Sequence, residues 1–449
     1  MPHRLASVRL RVLASISTVL TVLTVPAVAA QTPQARIARE IDAGTERVMP
    51  SVVAWRRDIH QHPELGNHEV RTAKLVADEL TRLGFEVRTG VAHTGVVGVL
   101  RGGKPGSVVA LRADMDALPV TEMVDLPFKS LARGTWNGQE VGIMHACGHD
   151  NHVAILMGAA EVLAGMKADL PGTVKFIFQP AEEGVPQGDV GGASEMIKEG
   201  ALDNPAPSAI FGLHVWPFPT GVVGLRSGPL MAASDWLYIT VKGRQTHGAQ
   251  PWGGIDPIVV SSQIVLALQT ITSRQIDVTK VPAIITVGRI QGGNRGNIIP
   301  DSVIMEGTVR TFDEAMRADI KERIKRTVES IAQSAGGTAT VNFGSGNNPV
   351  TYNDPALTER MLPTLKRVAG DTNVVTSPLS TPAEDFALYQ QKIPGVFFFL
   401  GVTPRDRDPM KVPRNHSPYF FADEAALPIG VRLMANVAVD YLTSRPAVP

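Results

Sequence analysis

The chain has little cysteine and no excess of either charge, and both absences narrow its function. Its 449 residues contain a single Cys, which excludes an intramolecular disulfide and any multi-cysteine zinc ribbon. Lys and Arg number 43, as do Asp and Glu, so charge gives no reason to expect nucleic acid or an acidic membrane as partner. The hydrophobic fraction of 44% argues against wholesale disorder. The length exceeds what one hydrophobic core usually serves, so two domains are expected.

The first thirty residues have the pattern of a secretory signal peptide. Three arginines precede an uncharged stretch, residues 12–30, which ends in Pro26-Ala-Val-Ala-Ala30. We expect cleavage near Ala29 or Ala30, which would remove three Arg and leave a net charge of −3; an uncleaved anchor is the alternative. No later stretch reaches the roughly 18 uncharged apolar residues of a membrane span. The expectation is therefore an exported protein, periplasmic in a Gram-negative cell, without stable membrane insertion after cleavage.

Strand-length apolar runs alternate with helical stretches over most of the chain. The strand candidates are residues 96–100, 108–112, 174–178, 210–214 and 396–400, and helical spacing is seen in 37–83, 153–166 and 193–199. Such alternation predicts an α/β domain with a mixed, mostly parallel sheet and helices on both faces.

A central segment has a different order of elements. Strand, helix, strand, strand, helix and strand are predicted over residues 236–241, 256–273, 283–290, 302–312, 314–335 and 338–343. This βαββαβ order predicts a ferredoxin-like unit, and it interrupts the larger domain. The predicted division is a leader (1–30), the larger domain in two parts (31–230 and 346–449), and an inserted lid or dimerisation domain (231–345).

The densest chemical signal is His145-Ala-Cys-Gly-His-Asp-Asn-His152 at the start of an apolar helix. Cys147 and His149 stand two apart across a Gly, so a loop could direct both side chains at one ion. Imidazole and thiolate suit zinc or a similar divalent metal. An isolated Cys or His is usually a buried hydrophobe or a hydrogen-bonded core residue, but that interpretation fits the whole cluster poorly.

Carboxylates and an imidazole also follow three predicted strands. Glu182 and Glu183 come after one strand, His214 ends the next, and Asp114 and Asp116 follow a third. Ligands of α/β sheets bind at this edge. Neighbouring side chains point apart, so one of the two Glu can ligate metal while the other transfers protons. Each motif alone could be an acidic surface turn, but together they predict one site.

Six motifs, in order, resemble those of one known family: Arg112-Ala-Asp-Met-Asp-Ala-Leu-Pro119, His145-Ala-Cys-Gly-His-Asp150, Phe178-Gln-Pro-Ala-Glu-Glu-Gly184, Thr246-His-Gly-Ala-Gln-Pro251, Asn297-Ile-Ile-Pro-Asp301 and His416-Ser-Pro. From about Trp55 to Tyr441 the chain resembles the metal-dependent amidohydrolases related to hippurate hydrolase, indole-acetyl-amino-acid hydrolase and bacterial N-acyl-amino-acid amidohydrolases. These form a branch of the aminoacylase and glutamate carboxypeptidase metallopeptidase family.

The resemblance implies a role for each matching residue. It implies two divalent ions per subunit (Zn, Mn, Co or Ni), with Cys147 as bridging thiolate and the ligand set Cys147, His149, Glu183, His214 and His416. Glu182 matches the general base that activates water, and Asp116 matches an acidic residue that supports the site. Asp114 stands nearby, and Glu384 resembles part of a Glu-Asp-Phe element.

Three further residues match positions in the inserted domain. His247 matches a residue that stabilises the oxyanion, often in the partner subunit's site. Asn297 and Arg310 lie where the family contacts the substrate's carboxylate or scissile carbonyl. The resemblance also implies a homodimer formed through this domain, the alternative being a monomer that uses it purely as a lid.

The function implied is hydrolysis of the amide bond of N-acyl or N-aroyl amino acids by a metal-activated water. A close variant is a metallocarboxypeptidase or dipeptidase that acts on short peptides. A different class is an exported metal- or peptide-binding protein without catalysis, which would not need Glu182. A last alternative is an interaction domain in which the His cluster is structural.

Overall fold

The computed structural model describes residues 1–3, 7, 33–185 and 188–444. Apart from residues 1–3 and 7, the predicted signal peptide lies outside the described residues. The helices are α1 (Pro33–Gln61), α2 (Val70–Arg82), α3 (His149–Gly165), α4 (Gly192–Lys198), α5 (Pro257–Thr270), α6 (Glu314–Ser334), α7 (Pro355–Ala369), α8 (Phe386–Gln390) and α9 (Leu427–Thr443).

The strands run in chain order as follows: β1 (Glu86–Val91), β2 (Gly95–Arg101), β3 (Lys104–Asp114), β4 (Arg133–Trp136), β5 (Gln139–Gly142), β6 (Pro171–Gln179), β7 (Ala209–Pro219), β8 (Val223–Leu225), β9 (Gly228–Met231), β10 (Ala233–Lys242), β11 (Thr246–His247), β12 (Ala283–Gly292), β13 (Ile298–Ile299), β14 (Ser302–Thr311), β15 (Thr338–Phe343), β16 (Thr351–Asn353), β17 (Val374–Thr376) and β18 (Gly395–Thr403).

An eight-stranded sheet forms the larger layer, in the order β1-β2-β6-β3-β7-β18-β8-β17. The central strands β6, β3, β7 and β18 are parallel, whereas β1, β2 and β6 pair antiparallel at one edge. The central strands read as continuous apolar runs because helices cover both faces of the sheet. The prediction of a mixed, mostly parallel sheet is confirmed.

Helices cover the two faces unequally. One face packs on α1, α2, α3, α7 and α9 in a single large core, and the other packs on the shorter α4 and α8. In α3 fourteen of seventeen residues are buried, so this helix is apolar all round, as expected of a core helix. Among the described residues one segment, Glu424–Thr443, is long and apolar enough to cross a membrane, but 72% of it is buried inside the protein.

The second sheet has the order β12-β14-β10-β15, and every pairing in it is antiparallel. Numbered within this unit the order is 2-3-1-4, the arrangement of a ferredoxin-like sheet. Helices α5 and α6 cover one face and share a separate hydrophobic core with it. The βαββαβ prediction is confirmed; the domain boundaries and the function of this unit as lid or dimerisation surface remain predictions.

Candidate metal centre

Three neighbouring parallel strands bring their carboxyl ends to one edge of the large sheet. Strand β3 ends at Asp114, and β6 ends at Gln179, three residues before Glu182. Strand β7 was predicted to end at His214 but continues to Pro219. Its pairing with β3 stops at Gly212, so His214 still lies beyond the shared ladder, at the edge where α/β sheets bind ligands.

The loop before α3 crosses this edge at very close range. Gly148 has φ of 90°, and a Cβ atom there would lie 2.3 Å from Val215 Cγ2. Only glycine meets both demands without strain. The close approach places Cys147 over β7 and places His149 in the first turn of α3.

Cys147, His149 and His214 form the first cluster. Cys147 Sγ lies 3.3 Å from His214 Nε2. His214 Nδ1 donates to the carbonyl oxygen of Val215 at 2.8 Å, which leaves its Nε2 unprotonated and directed at the thiol. His149 Nδ1 donates to the Asp116 carbonyl oxygen at 2.8 Å, and its buried Nε2 has no hydrogen-bond partner. One ligand atom from each of the three lies within 4.8 Å of the others.

Cys147, Glu183 and His416 form the second cluster, with ligand atoms again within 4.8 Å of one another. His416 Nε2 lies 2.9 Å from Glu183 Oε1. His416 has φ of 69°, a left-handed conformation that costs a non-glycine residue free energy. Its backbone N–H donates to the Ala146 carbonyl at 2.8 Å, and the neighbouring Asn415 donates to the Cys147 carbonyl at 3.0 Å.

The two clusters share Cys147, and their donors suit divalent metal ions. A buried thiol, three imidazoles and a carboxylate are the ligands that zinc and related ions prefer. Buried polar atoms usually have a hydrogen-bond partner. The buried Nε2 of His149 has none, as expected of a nitrogen that binds a metal ion. The second nitrogen of His149 is held by Asp116, the usual way a ligating imidazole is oriented. The residues therefore fit a two-ion site.

Asp116 connects the two clusters. Its carbonyl oxygen and Oδ1 accept from His149, the latter at 3.2 Å, and its Oδ2 accepts from the Glu183 backbone N–H at 2.9 Å. One buried side chain thus fixes a residue of each cluster. Asp114 is engaged differently: it accepts from His152 Nδ1 at 2.5 Å and forms an ion pair with Arg112. His152 Nε2 in turn accepts from the Val215 N–H, so neither Asp114 nor His152 is free to turn toward an ion.

Glu182 is half-buried beside the clusters, and its carboxylate lies within 4.8 Å of ligand atoms of both His149 and Glu183. Burial, followed by the charges of Glu384 and Glu183, holds its pKa well above the usual carboxyl range. Burial and neighbouring charges also shift the pKa values of the proposed ligands. Burial and then Glu183 raise the pKa of the Cys147 thiol, whereas Asp114 and Asp116 overcome the effect of burial and raise the pKa of His149 to about 10.

A buried arginine with no predicted role, Arg112, supports the side of the site next to Glu182. Arg112 donates to Gln179 at 2.9 Å and to Asp385 at 2.9 Å, and lies 3.0 Å from Glu384. Its charge offsets the carboxylates that would otherwise repel one another there. No role was predicted for Asp385, His152 or Asn415 either. Like Arg112, they contact residues that are distant in the chain, and the only signal in the sequence was their position within or beside the matched motifs.

Two of the three residues predicted in the inserted unit, His247 and Asn297, lie next to each other. Strand β11 pairs with β13, and the Gly248 N–H donates to the Asn297 carbonyl at 2.8 Å, so His247 and Asn297 are neighbours on an exposed tip. Arg310 is half-buried on β14, and its guanidinium has no hydrogen bond or ion pair with the described residues. Within the described ranges no hydrogen bond joins these three to the Cys147 clusters.

A mixed α/β sheet with two donor clusters and the Glu182 carboxylate at its ligand edge is the arrangement of a metallohydrolase. Comparison with known proteins gives the family. The signature of Peptidase family M20/M25/M40 matches residues 110–440. The chain belongs to this peptidase family, and it is a metal-dependent hydrolase; the resemblance seen in its motifs is confirmed.

Named relatives cover nearly all of the described chain. It is 43% identical to thermostable carboxypeptidase 1 of Saccharolobus solfataricus, over 87% of this chain and 95% of the relative. It is 41% identical to IAA-amino acid hydrolase ILR1-like 4 of Arabidopsis thaliana, over 87% of this chain and 86% of the relative. It is 40% identical to N-acetyl-L-cysteine deacetylase of Bacillus subtilis, over 84% of each.

Solved structures agree with this assignment. An aminohydrolase from methicillin-resistant Staphylococcus aureus superposes with a TM-score of 0.83 at 36% identity, covering 90% of this chain and 100% of that one. The YXEP protein of Bacillus subtilis, described as a dinuclear metal-binding peptidase of the M20 family, superposes with a TM-score of 0.74 at 36% identity. That match covers 88% of this chain and 99% of the other.

Proposed function

We propose that the protein hydrolyses the amide bond of N-acyl or N-aroyl amino acids and releases a carboxylate and a free amino acid. The observation that carries the proposal is the pair of donor clusters that share Cys147, with the Glu182 carboxylate beside both. Relatives named for N-acetylcysteine deacetylation and IAA-amino acid hydrolysis support an amide of an amino acid as substrate.

The roles of the residues follow from their positions. Cys147, His149 and His214 would hold one ion, and Cys147, Glu183 and His416 the other. Two such ions, when bound, lower the pKa of water and polarise the scissile carbonyl. The metal identity among Zn, Mn, Co and Ni belongs to the proposal. Asp116 keeps His149 in the tautomer whose Nε2 faces the site.

Proton transfer is assigned to Glu182. Its carboxylate accepts a proton from the attacking water and returns it to the leaving amine. The inserted unit would supply the remaining groups of the site. There His247 would donate to the developing oxyanion, while Asn297 and the unpaired Arg310 would bind the substrate carboxylate. That assignment predicts closure of this unit around the substrate, in the site of its own subunit or of the partner.

A carboxypeptidase or dipeptidase activity is the second candidate, favoured by the 43% identity to thermostable carboxypeptidase 1. Both activities cleave an amide next to a free carboxylate, so the site chemistry is the same. A substrate panel decides between them: hippurate, N-acetyl amino acids and dipeptides, each with metal-free protein and with added Zn, Mn or Co.

Faster metal-dependent cleavage of the N-acyl amino acids supports the proposal, and a clear preference for dipeptides supports the second candidate. Hippurate amide, which lacks the carboxylate, is the matched control, and it should be cleaved poorly if Arg310 binds that group. No metal-dependent turnover on any substrate would leave a binding protein without catalysis as the remaining interpretation.

Export and assembly belong to the same proposal. Residues 1–30 support cleavage and secretion to the periplasm, and mass spectrometry of the exported protein would locate the new N-terminus. Strand β12 is an edge of the second sheet and exposes Ile284 and Ile290. Such an edge favours pairing with another copy, so a homodimer is expected, and light scattering in solution tests it.

A further inference from the structure

Five ionisable side chains form a continuous chain behind the metal clusters. His60 on α1 is at its centre: its Nδ1 donates to Asp150 at 2.8 Å and its Nε2 to Glu122 at 3.1 Å. Arg56, one turn earlier on α1, lies 2.9 Å from Asp150 and 3.2 Å from Glu424. The charge chain is therefore Glu122, His60, Asp150, Arg56 and Glu424, with signs that alternate along it.

The interior of the charge chain is removed from water. Arg56, His60, Glu122 and Asp150 are between 0% and 3% exposed. Because both partners of His60 are carboxylates, both of its nitrogens must donate. Asp150 and Glu122 overcome the effect of burial and raise the pKa of His60. Buried charges are retained only where each is paired, so the geometry of this chain is tightly fixed.

The middle of the charge chain is attached to the first ligands. Asp150 is the second residue of α3 and follows His149 directly, three positions after Cys147. It also accepts from Asn151 within the same turn, at 3.0 Å. Any shift of Asp150 would therefore move the loop that carries Cys147 and His149, two members of the first cluster.

Both ends of the charge chain are attached to the segment that carries His416, residues 404–423. Beside Glu122, the Met123 N–H donates to the Pro418 carbonyl at 2.8 Å, two residues after His416. At the other end, Glu424 begins a short 3-10 helix directly after the segment. The charge chain thus spans from the start of α3 to two points on the C-terminal side of His416, one at Pro418 and one at Glu424.

We propose that the charge chain is a positioning device that sets the distance between His416 and the Cys147–His149 loop, and so the affinity for the ion that His416 holds. The inference rests on the proposed function, since it assumes that these residues bind metal. Its five members touch no substrate and act through the ligands. The left-handed backbone of His416 has to be held by its surroundings. The Ala146 carbonyl holds its N–H directly, and the charge chain adds a constraint on the segment that follows His416.

The test uses the full mature protein and measures metal binding directly. His60→Gln keeps a side chain that can hydrogen-bond but removes the central positive charge. Arg57→Ala is the matched control: Arg57 neighbours Arg56 and binds the same Glu424, at 2.8 Å, but from the exposed side of α1. Zn²⁺ affinities of both sites are measured by titration calorimetry of metal-free protein, with melting temperature and kcat recorded in parallel.

For His60→Gln we expect the ion that His416 holds to bind about tenfold more weakly or worse, a loss of roughly 1.4 kcal/mol, and to lose more affinity than the ion of the first cluster. Turnover should fall at limiting metal and recover at saturating metal. Arg57→Ala should match the wild type in all three measurements. Glu122→Gln provides a second, independent break if His60→Gln does not fold, with the same expectation.

One result would contradict this inference, and a different result would contradict the proposed function. If the wild type binds two ions and the variants bind both equally well while melting earlier, the charge chain is merely structural and the inference is wrong. If the wild type itself binds no ion, the proposed function fails, and that outcome is distinct because it does not depend on any variant.

Discussion

Glu182→Gln separates catalysis from metal binding most sharply, because the substitution keeps the shape of the side chain and removes only its ability to accept a proton. Glu182 is assigned no metal contact, and its neighbours are the carboxylates Glu384, Glu183 and Asp385. Gln places no charge among these carboxylates, so the melting temperature should stay the same or rise. Loss of a general base costs about 10²–10⁴ in rate, which corresponds to about 2.7–5.4 kcal/mol in the activation barrier.

The assay measures kcat on the best N-acyl amino acid at saturating metal, together with bound metal per chain. We expect the loss in kcat with two ions still bound. Glu322→Gln, an exposed carboxylate on α6, controls for the loss of one negative charge and should leave kcat unchanged. A Glu182→Gln protein that retains its metal and turns over within threefold of the wild type would refute the assignment of the base.

Three other outcomes follow from the geometry. Cys147→Ser should weaken both ions, since both clusters use this side chain, and unchanged affinity for either in calorimetry would show that the ions do not share it. Gly148→Ala should lower the melting temperature of metal-free protein by more than Gly138→Ala does. Both glycines have positive φ, but only an alanine at 148 also clashes with a neighbour, and such a clash costs about 1–3 kcal/mol of stability. Because burial raises the pKa of the Cys147 thiol, a metal ion must displace its proton to bind. The apparent affinity for metal should therefore increase with pH, by up to about tenfold per pH unit for each proton released. A metal affinity that does not change with pH would contradict this.

The sequence predicts the repetitive parts of the fold well. Central strands such as β6 and β18 are continuous apolar runs, and helix α6 has the apolar spacing of one buried face, so local pattern identifies them. The two short strands at one side of the large sheet, β8 and β17, are three residues long and carry no pattern that distinguishes them from loops. They exist because a neighbouring strand supplies their hydrogen bonds.

Some residues of the site can likewise be predicted from the sequence, and others cannot. Cys147 and His149 lie close in the chain, so their association is visible in the sequence, and the strand ends predict that Glu183 and His214 join them. The bond between Arg112 and Asp385 joins residues 273 positions apart, and no local pattern contains it. The charge chain behind the ligands is equally invisible, because its members come from four separate segments and each is an ordinary charged residue by itself.

The most direct test of the account is a Co²⁺ titration of metal-free protein in which ultraviolet absorption and hydrolysis of an N-acyl amino acid are followed together. The account predicts two equivalents of Co²⁺ per chain, a thiolate-to-cobalt charge-transfer band that is absent in Cys147→Ser, and full activity only when both equivalents are bound. Full activity in metal-free protein, or two bound equivalents without the thiolate band, would contradict a two-ion hydrolase centred on Cys147.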